Sequence, residues 1–400
     1  MIAASGLLRG LAASQDDVAG FEADMAARFG VDHALALPLA RTGLYLAIKA
    51  IIRPGQAVIL SPYTIAEVIN MVICAGGRPV FCDTRRETCN MDPEALRDLL
   101  LQTEDVGAVL MTHFYGLASD IGAVAELCEA QGVALVEDAA QALGAVVDGR
   151  PVGTFGTAGV FSFGLFKSVN AVYGGLVVTK DAAVAARMRH IWQAESLPPS
   201  PRWLARRLAS AAQTDIVTRD PLFSSVFFRL FRWAVVNGVN SVTNRLKIDI
   251  APVRRSEMPA DYLHRMSDLQ VRLVRRGLVS LPADLVARQK NAARYREGLS
   301  GLSGLVIPPE VAAGSHVYWY FAIQHDEAPR LVEHVLRQGQ DITISYHRNC
   351  ADLDCFAEYR SECPNARATA RSLIYLPCYP GYGAGQIDRT IAAIRGFFAA

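Results

Sequence analysis

The stretch Glu137-Asp138-Ala139-Ala140-Gln141, followed by Phe161-Ser162-Phe163-Gly164-Leu165-Phe166-Lys167 and then by Gly174-Gly175, decides how the rest of the chain reads. Just ahead of it lies Val133-Ala134-Leu135-Val136, a short apolar run of the kind that makes a buried strand. Asp138 therefore falls where that strand ends, at the sheet edge where open α/β folds bind ligands. A second apolar run, Gly159 to Phe163, leads into Lys167. A carboxylate and a lysine, each just past a strand, are placed to face a single pocket.

A lysine forms a Schiff base with a carbonyl where its surroundings favour the neutral amine. Pyridoxal phosphate is the commonest partner in that chemistry. Its ring nitrogen works as an electron sink only when protonated, and a buried aspartate holds that proton. Gln141 lies near Asp138 in sequence and has a side chain suited to the ring hydroxyl; Ser162 has a hydroxyl suited to the phosphate. Taken singly, a strand-end Asp is more often a helix cap and a lone Lys is usually solvated. The case rests on their joint order and spacing.

That order resembles the DegT/StrS family of pyridoxal-phosphate-dependent sugar aminotransferases, a branch of the aspartate-aminotransferase-like fold. The family shows Glu-Asp-Ala-Ala-Gln, then Phe-Ser-Phe-x-x-x-Lys, then Gly-Gly ahead of an apolar strand, and this chain has all three. The resemblance implies that Lys167 holds pyridoxal 5'-phosphate, Asp138 pairs with its ring nitrogen, Gln141 touches the ring oxygen and Ser162 the phosphate. It also implies a fold-type-I homodimer with active sites at the interface. Glutamate would be the amino donor and a keto group on a nucleotide-linked sugar the acceptor.

Composition sets broad limits. A chain of 400 residues can bury a large core with a smaller domain appended. The formal net charge of +1 points to no nucleic-acid partner. The first residues, Met1 to Arg9, have no charged region ahead of their short apolar stretch, so no signal peptide is expected. The eight cysteines lack CxxC spacing, which predicts a reduced, cytoplasmic protein with no metal site.

Taken in order, Val18, Phe21, Met25 and Phe29 fall at helical spacing. A strand at Ala34 to Leu37 then leads through Arg41-Thr42-Gly43 into a helix from Leu44 to Ile52, a phosphate-binding arrangement. The family has Ser-Gly-Thr here, so either Arg41 meets the phosphate as a charge or Thr42 donates its hydroxyl. Thr42 has a second reading as a helix cap. After a strand at Ala57 to Leu60 comes Ser61-Pro62-Tyr63-Thr64-Ile65. The family places a ring-stacking aromatic where Ile65 stands, so either Ile65 covers the cofactor ring or Tyr63 takes that role. Strands at 79–82 and 107–111 alternate with helices at 92–101 and 121–131, the first plausibly capped by Asp92. This alternation predicts an α/β fold with a doubly wound, mostly parallel sheet. His113 and Tyr115, just past a strand, are candidate pocket residues, with a structural histidine the plainer reading of His113.

Residues 1–270 are expected to form the cofactor-binding large domain, and 271–400 a smaller α+β C-terminal domain. Between about 190 and 255 the chain departs from the compact family pattern. Trp203, Phe227, Phe228, Phe231 and Trp233 interleave there with Arg206, Arg207, Arg229 and Arg232. The arginines exclude a transmembrane span. Either this insertion packs on its own domain or a partner subunit, or residues near 200–240 touch an anionic membrane peripherally. Further on, Leu263 stands where the family asparagine reaches the cofactor phosphate of the other subunit; Arg41 and His264 are the candidates to compensate. Val317 to Ile323 alternates like a strand, and Ile387, Ile391, Ile394 and Phe398 give the last helix an apolar face. Two rival readings are a sugar dehydratase of the same superfamily, which carries histidine at the position of Lys167, and a non-catalytic regulator on the same fold. The lysine speaks against the first and the intact set of site residues against the second.

Overall fold

The computed structural model describes residues 16–118, 120–218, 223–237 and 252–399. The apolar runs become strands: β1 (His33–Leu37), β2 (Ala57–Leu60), β3 (Tyr63–Thr64), β4 (Arg78–Phe81), β5 (Val106–Thr112) and β6 (Ala134–Asp138). A short hairpin, β7 (Val146–Val147) and β8 (Arg150–Pro151), precedes β9 (Ala158–Ser162) and β10 (Gly175–Thr179). Seven of these make one sheet in the order β1-β10-β9-β6-β5-β2-β4. The pairs from β9 to β4 are parallel, while β10 alone is reversed, antiparallel to both β9 and β1. Strand β2 is buried along its whole length, as a parallel strand covered by helices on both faces must be. Thr112 at the end of β5 pairs with Asp138 at the end of β6, and Asp138 pairs with Val160 of β9. The chemistry-bearing residues therefore share one edge of the sheet.

The helices between strands follow the expected pattern. Asp92 caps the helix Pro93–Gln102, its carboxylate accepting the Glu94 N–H. The helix after β1 departs from expectation: it starts earlier, at Ala40, with Leu39 at the cap position and no side-chain cap. Thr42 thus lies inside the first turn and caps nothing; it is fully buried and its hydroxyl donates to the Tyr262 carbonyl at 2.7 Å.

The 32-residue helix Asp268–Leu299 opens with a capping box between Ser267 and Gln270 and links two cores. Val271, Val274 and Leu281 pack with Phe161 and Phe163, whereas Ala292, Tyr295 and Leu299 enter a second core. The C-terminal strands are β11 (Phe321–Gln324), β12 (Thr343–Ile344), β13 (Arg348–Asn349) and β14 (Leu373–Leu376), and that core lies on a three-stranded sheet made by all of them but β13. Its order is β11-β14-β12, while β13 leaves it to pair with β3. Cys350, Ala351, Phe356 and Ala366 accordingly belong to the core of the large sheet. The last helix, Ala384–Ala399, buries Ile387 and Ile394 fully and Ile391 and Phe398 partly. The strand expected over 317–323 is confined to β11. Upstream of it, Val317 and Trp319 donate their N–H groups to the carbonyls of Gly116 and Tyr115 instead.

In the inserted region, helices span Pro201–Val217 and Phe228–Val236, the second preceded by a π-helical turn, Phe223–Phe227. Trp203 and Leu204 are buried beside Tyr173 and Leu269, and Phe228 packs into the second core. Val226, Leu230 and Trp233 are exposed, Trp233 at 59%. The remainder of the expected insertion, 219–222 and 238–251, lies outside the described residues. Among the described residues, no helix is long and apolar enough to cross a membrane.

Gly175 pairs with Leu37 of β1 and Ser162 of β9, and a Cβ placed there would lie 2.4 Å from the Leu39 backbone. Backbone cannot yield as a side-chain tip can. Gly175→Ala should lower stability by about 1–3 kcal/mol, read as a fall in Tm. Gly122→Ala is the control: Gly122 sits in the helix Ile121–Ala130 with nothing within 4 Å of its Cβ position, and it should hold or raise Tm.

Candidate active site

Asp138 ends β6 at 5% exposure. One carboxylate oxygen accepts the Ala140 N–H at 3.1 Å, the tight local turn that the Asp-Ala-Ala sequence permits. The other has only the Thr112 hydroxyl, at 3.5 Å, and so keeps acceptor capacity. Burial pushes the Asp138 carboxyl above its usual range, opposed by the Ala140 N–H and by the charges of Lys167 and His113. Glu137 has a different job. It is fully buried, accepts the N–H groups of Gly153 and Gly156 at 2.8 Å each, and meets His113 Nε2 at 3.1 Å. Glu137 and His113 thus pin β6 to β5 and to the turn ahead of β9, so that His113 is a structural residue behind Asp138.

Lys167 stands in a turn beyond β9, its backbone N–H donating to the Gly164 carbonyl at 3.0 Å. Its ammonium lies 4.2 Å from the centroid of the Trp319 ring, a partner the sequence did not reveal. The indole N–H of Trp319 donates to the Phe166 carbonyl at 2.8 Å and ties the lysine turn to the segment before β11. Lys167 is pulled down to about 8, first by burial and then by the positive charge of Arg41, against the favourable charge of Asp138. Arg41 is therefore near enough to act on Lys167. Its guanidinium also donates to the Tyr262 hydroxyl at 2.9 Å.

Gln141 accepts the Tyr115 N–H through Oε1 at 2.7 Å. A backbone N–H can only meet the amide oxygen, so the two N–H donors of Gln141 are oriented the other way. Tyr115 adopts a left-handed conformation, φ 57°, unusual for a non-glycine residue and of the sort that gathers at functional sites. Ser162 Oγ accepts the Gly164 N–H at 3.3 Å and keeps its own proton to donate.

The other expected residues divide. Ile65 precedes the helix Ala66–Cys74, half-buried against the large core. Tyr63 is fully buried, its ring packed between Phe114 and His347 and its hydroxyl bonded to Tyr115 and Ser345. Leu263 is half-buried and its carbonyl accepts the Leu197 N–H, while His264 Nδ1 lies 2.9 Å from the Pro198 carbonyl. His264 is thus engaged with the chain beside Trp203. Trp319, Ser345, His347 and Tyr375 come from the C-terminal part and were missed. They lie in no motif, and only the pairing of β13 with β3 and of β14 with β11 brings them here.

Comparison with known proteins places the chain in a family. A relative named dTDP-3-amino-3,4,6-trideoxy-alpha-D-glucose transaminase, from Micromonospora megalomicea subsp. nigra, is 28% identical over 388 residues, covering 94% of this chain and 88% of that one. The spore coat polysaccharide biosynthesis protein SpsC of Bacillus subtilis (strain 168) is 26% identical, with 94% and 88% covered. Among solved structures, DesI in the presence of its TDP-sugar product aligns with a TM-score of 0.72 at 26% identity, over 98% of this chain and 89% of that chain. The model of the DegT/DnrJ/EryC1/StrS aminotransferase family matches residues 7–202 and 229–395, leaving 203–228 between them unmatched and taking in most of the helix Phe228–Val236. With its motifs, its sheet and most of its length accounted for in this way, the chain belongs to the DegT/DnrJ/EryC1/StrS aminotransferase family.

Proposed function

We propose that this aminotransferase moves an amino group from glutamate to a keto group of a nucleotide-linked sugar, using pyridoxal 5'-phosphate. The observation that carries the reading is the meeting of Asp138 and Lys167 at one sheet edge, the lysine drawn down to about 8 and the carboxylate keeping a free acceptor position. The named relatives include a dTDP-sugar transaminase, which supports the acceptor class.

The residues present fit the cofactor. Asp138 would hold the proton on the ring nitrogen with its uncommitted oxygen. The oriented N–H donors of Gln141 would meet the ring oxygen, and the free proton of Ser162 would serve the phosphate. Arg41 adds a permanent cation beside the lysine; Thr42, whose proton goes to Tyr262, leaves that role to it. Ile65 remains as the ring cover, because Tyr63 is sealed in its hydroxyl contacts. When bound, the cofactor supplies an electron sink for negative charge on the substrate carbon beside nitrogen. Lys167 Nζ, poised near neutral pH between its two charge states, moves the proton as base and then as acid. A homodimer in the cytoplasm, with glutamate as donor, completes the reading. The division into a 1–270 large domain and a 271–400 small domain is part of it.

One observation favours a second, additional reading. Val226, Leu230 and Trp233 line one exposed helical face, with Arg229 exposed between them. Such a face suits reversible contact with an anionic membrane, at about 1 kcal/mol for each basic residue, and an acceptor carried on a lipid. Co-sedimentation with anionic vesicles, diminished by salt and by Trp233→Ser, is the expected result. Equal recovery with neutral vesicles or none would dismiss it.

For the main reading, the purified protein should take up pyridoxal phosphate, and borohydride reduction with peptide mapping should place the label on Lys167. Asp138→Asn should still bind cofactor and lose the glutamate half-reaction by on the order of a thousandfold, ~4 kcal/mol of barrier. A label on another lysine, or a near-native rate in the variant, would remove these assignments.

The apoprotein offers a pH test. Lys167 folds with its pKa below the unfolded value of about 10.4, so the unfolded chain binds the extra proton and stability rises with pH across that window. Lys167→Met should therefore raise denaturation midpoints at pH 7. The gain should shrink from about pH 8 upward and vanish by about 10.5.

A further inference from the structure

A buried line of hydroxyl groups runs behind the site. Tyr115 Oη lies 2.5 Å from Tyr63 Oη, which lies 2.7 Å from Ser345 Oγ. Ser345 Oγ lies 2.8 Å from Tyr375 Oη, and that in turn 2.7 Å from His347 Nδ1. All five side chains are buried. Neither the family motif nor the cofactor fit gives this line a task.

Its direction follows from donor accounting. Tyr115 Oη bonds to Tyr63 and interacts with Tyr375 as well, so its proton has an acceptor in either sense and the far end of the line decides. Ser345 Oγ also accepts the His347 backbone N–H, at 3.1 Å, and passes its own proton to Tyr375. At the far end a phenol, the better acid, meets an imidazole nitrogen, the better base. Tyr375 donates and Nδ1 accepts. A neutral imidazole that accepts at Nδ1 carries its proton on Nε2. Burial, and then the charge on Lys167, push His347 down to about 3, so the ring is neutral at working pH. Nε2 has no hydrogen-bond partner among the described residues, and His347 keeps 5% of its surface exposed. The ring is stacked on Tyr346, 4.6 Å between centroids, and held edge-on by Phe114.

We propose that this one-way hydroxyl line fixes His347 as the neutral Nε2–H tautomer, a donor presented beside Lys167 to a keto or hydroxyl oxygen of the acceptor sugar. The assignment of the oxygen's source rests on the nucleotide-sugar reading above; the tautomer does not. A neutral donor suits this position. It can bind an oxygen without adding a second cation that would raise the cost of protonating Lys167.

Long-range ¹H–¹⁵N spectra of the full-length protein, labelled with ¹⁵N-histidine, read the tautomer directly. The His347 signals are identified by their loss in His347→Gln. At pH 7 the expected pattern is a protonated Nε2 and an acceptor-type Nδ1, moving toward a tautomer mixture in Tyr375→Phe. A protonated Nδ1, or an imidazolium, in the wild-type protein overturns the proposal whatever the variants do. Titration of the cofactor-loaded protein with dTDP-glucose and UDP-N-acetylglucosamine then tests the ligand. A shift of the His347 Nε2–H resonance on binding supports it, and binding that perturbs other signals and leaves Nε2–H unmoved overturns the donor role. If neither sugar perturbs any signal, the nucleotide-sugar reading fails, and the assignment of His347 to that acceptor with it.

Discussion

Asp138 and Lys167 carry opposite charges into a site poor in water, and burial works against both. It drives the carboxyl up and the lysine down, while the pair's mutual attraction resists each shift. Everything near them bears on that balance. The Ala140 N–H holds the carboxylate ionised from one side. Arg41 leans on the lysine from the other, disfavouring a second cation. Trp319 accepts the ammonium on its ring face, giving some of the attraction that water would have supplied. The result is a lysine close to neutrality facing an aspartate that can still ionise, the pairing that proton transfer through a lysine needs.

The sheet makes this balance geometrically stable. Parallel strands end together, so one register places Thr112, Asp138 and the residues beyond Val160 side by side. Glu137, one residue earlier, points to the other face and is held by two glycine N–H groups and His113. Two adjacent acidic residues therefore divide the labour: one fixes strands, the other meets the charge of Lys167. Alternation along a strand alone produces this split.

Much of this was readable in the chain. Local signals carried the strands of the large sheet to within a residue or two, because apolar runs bounded by polar turns leave little choice of periodicity. The Asp92 cap was legible for the same reason. What sequence hid was the non-local half of the site. Thr42 looks like a cap and is instead drawn to Tyr262, far along the chain. Tyr63 reads as a candidate to cover the cofactor ring, yet β3 pairs with β13 and buries it. The strand expected at Val317 begins later because the residues before it bond across to Tyr115 and Gly116. Trp319, Ser345, His347 and Tyr375 carry no local pattern that would mark them.

The residues just before Lys167 bear on acceptor choice. Gly164-Leu165-Phe166 leads directly into Lys167. The Phe166 ring is 57% exposed although its backbone carbonyl is tied to Trp319. The fixed carbonyl limits how far the turn can rotate, and the ring is left in solvent. On the proposed nucleotide-sugar reading, an apolar ring beside the lysine turn would favour an acceptor with an apolar face beside its reacting carbon, such as a deoxygenated sugar. It disfavours one with a full set of hydroxyls, each of which would lose water against the ring without gaining a partner.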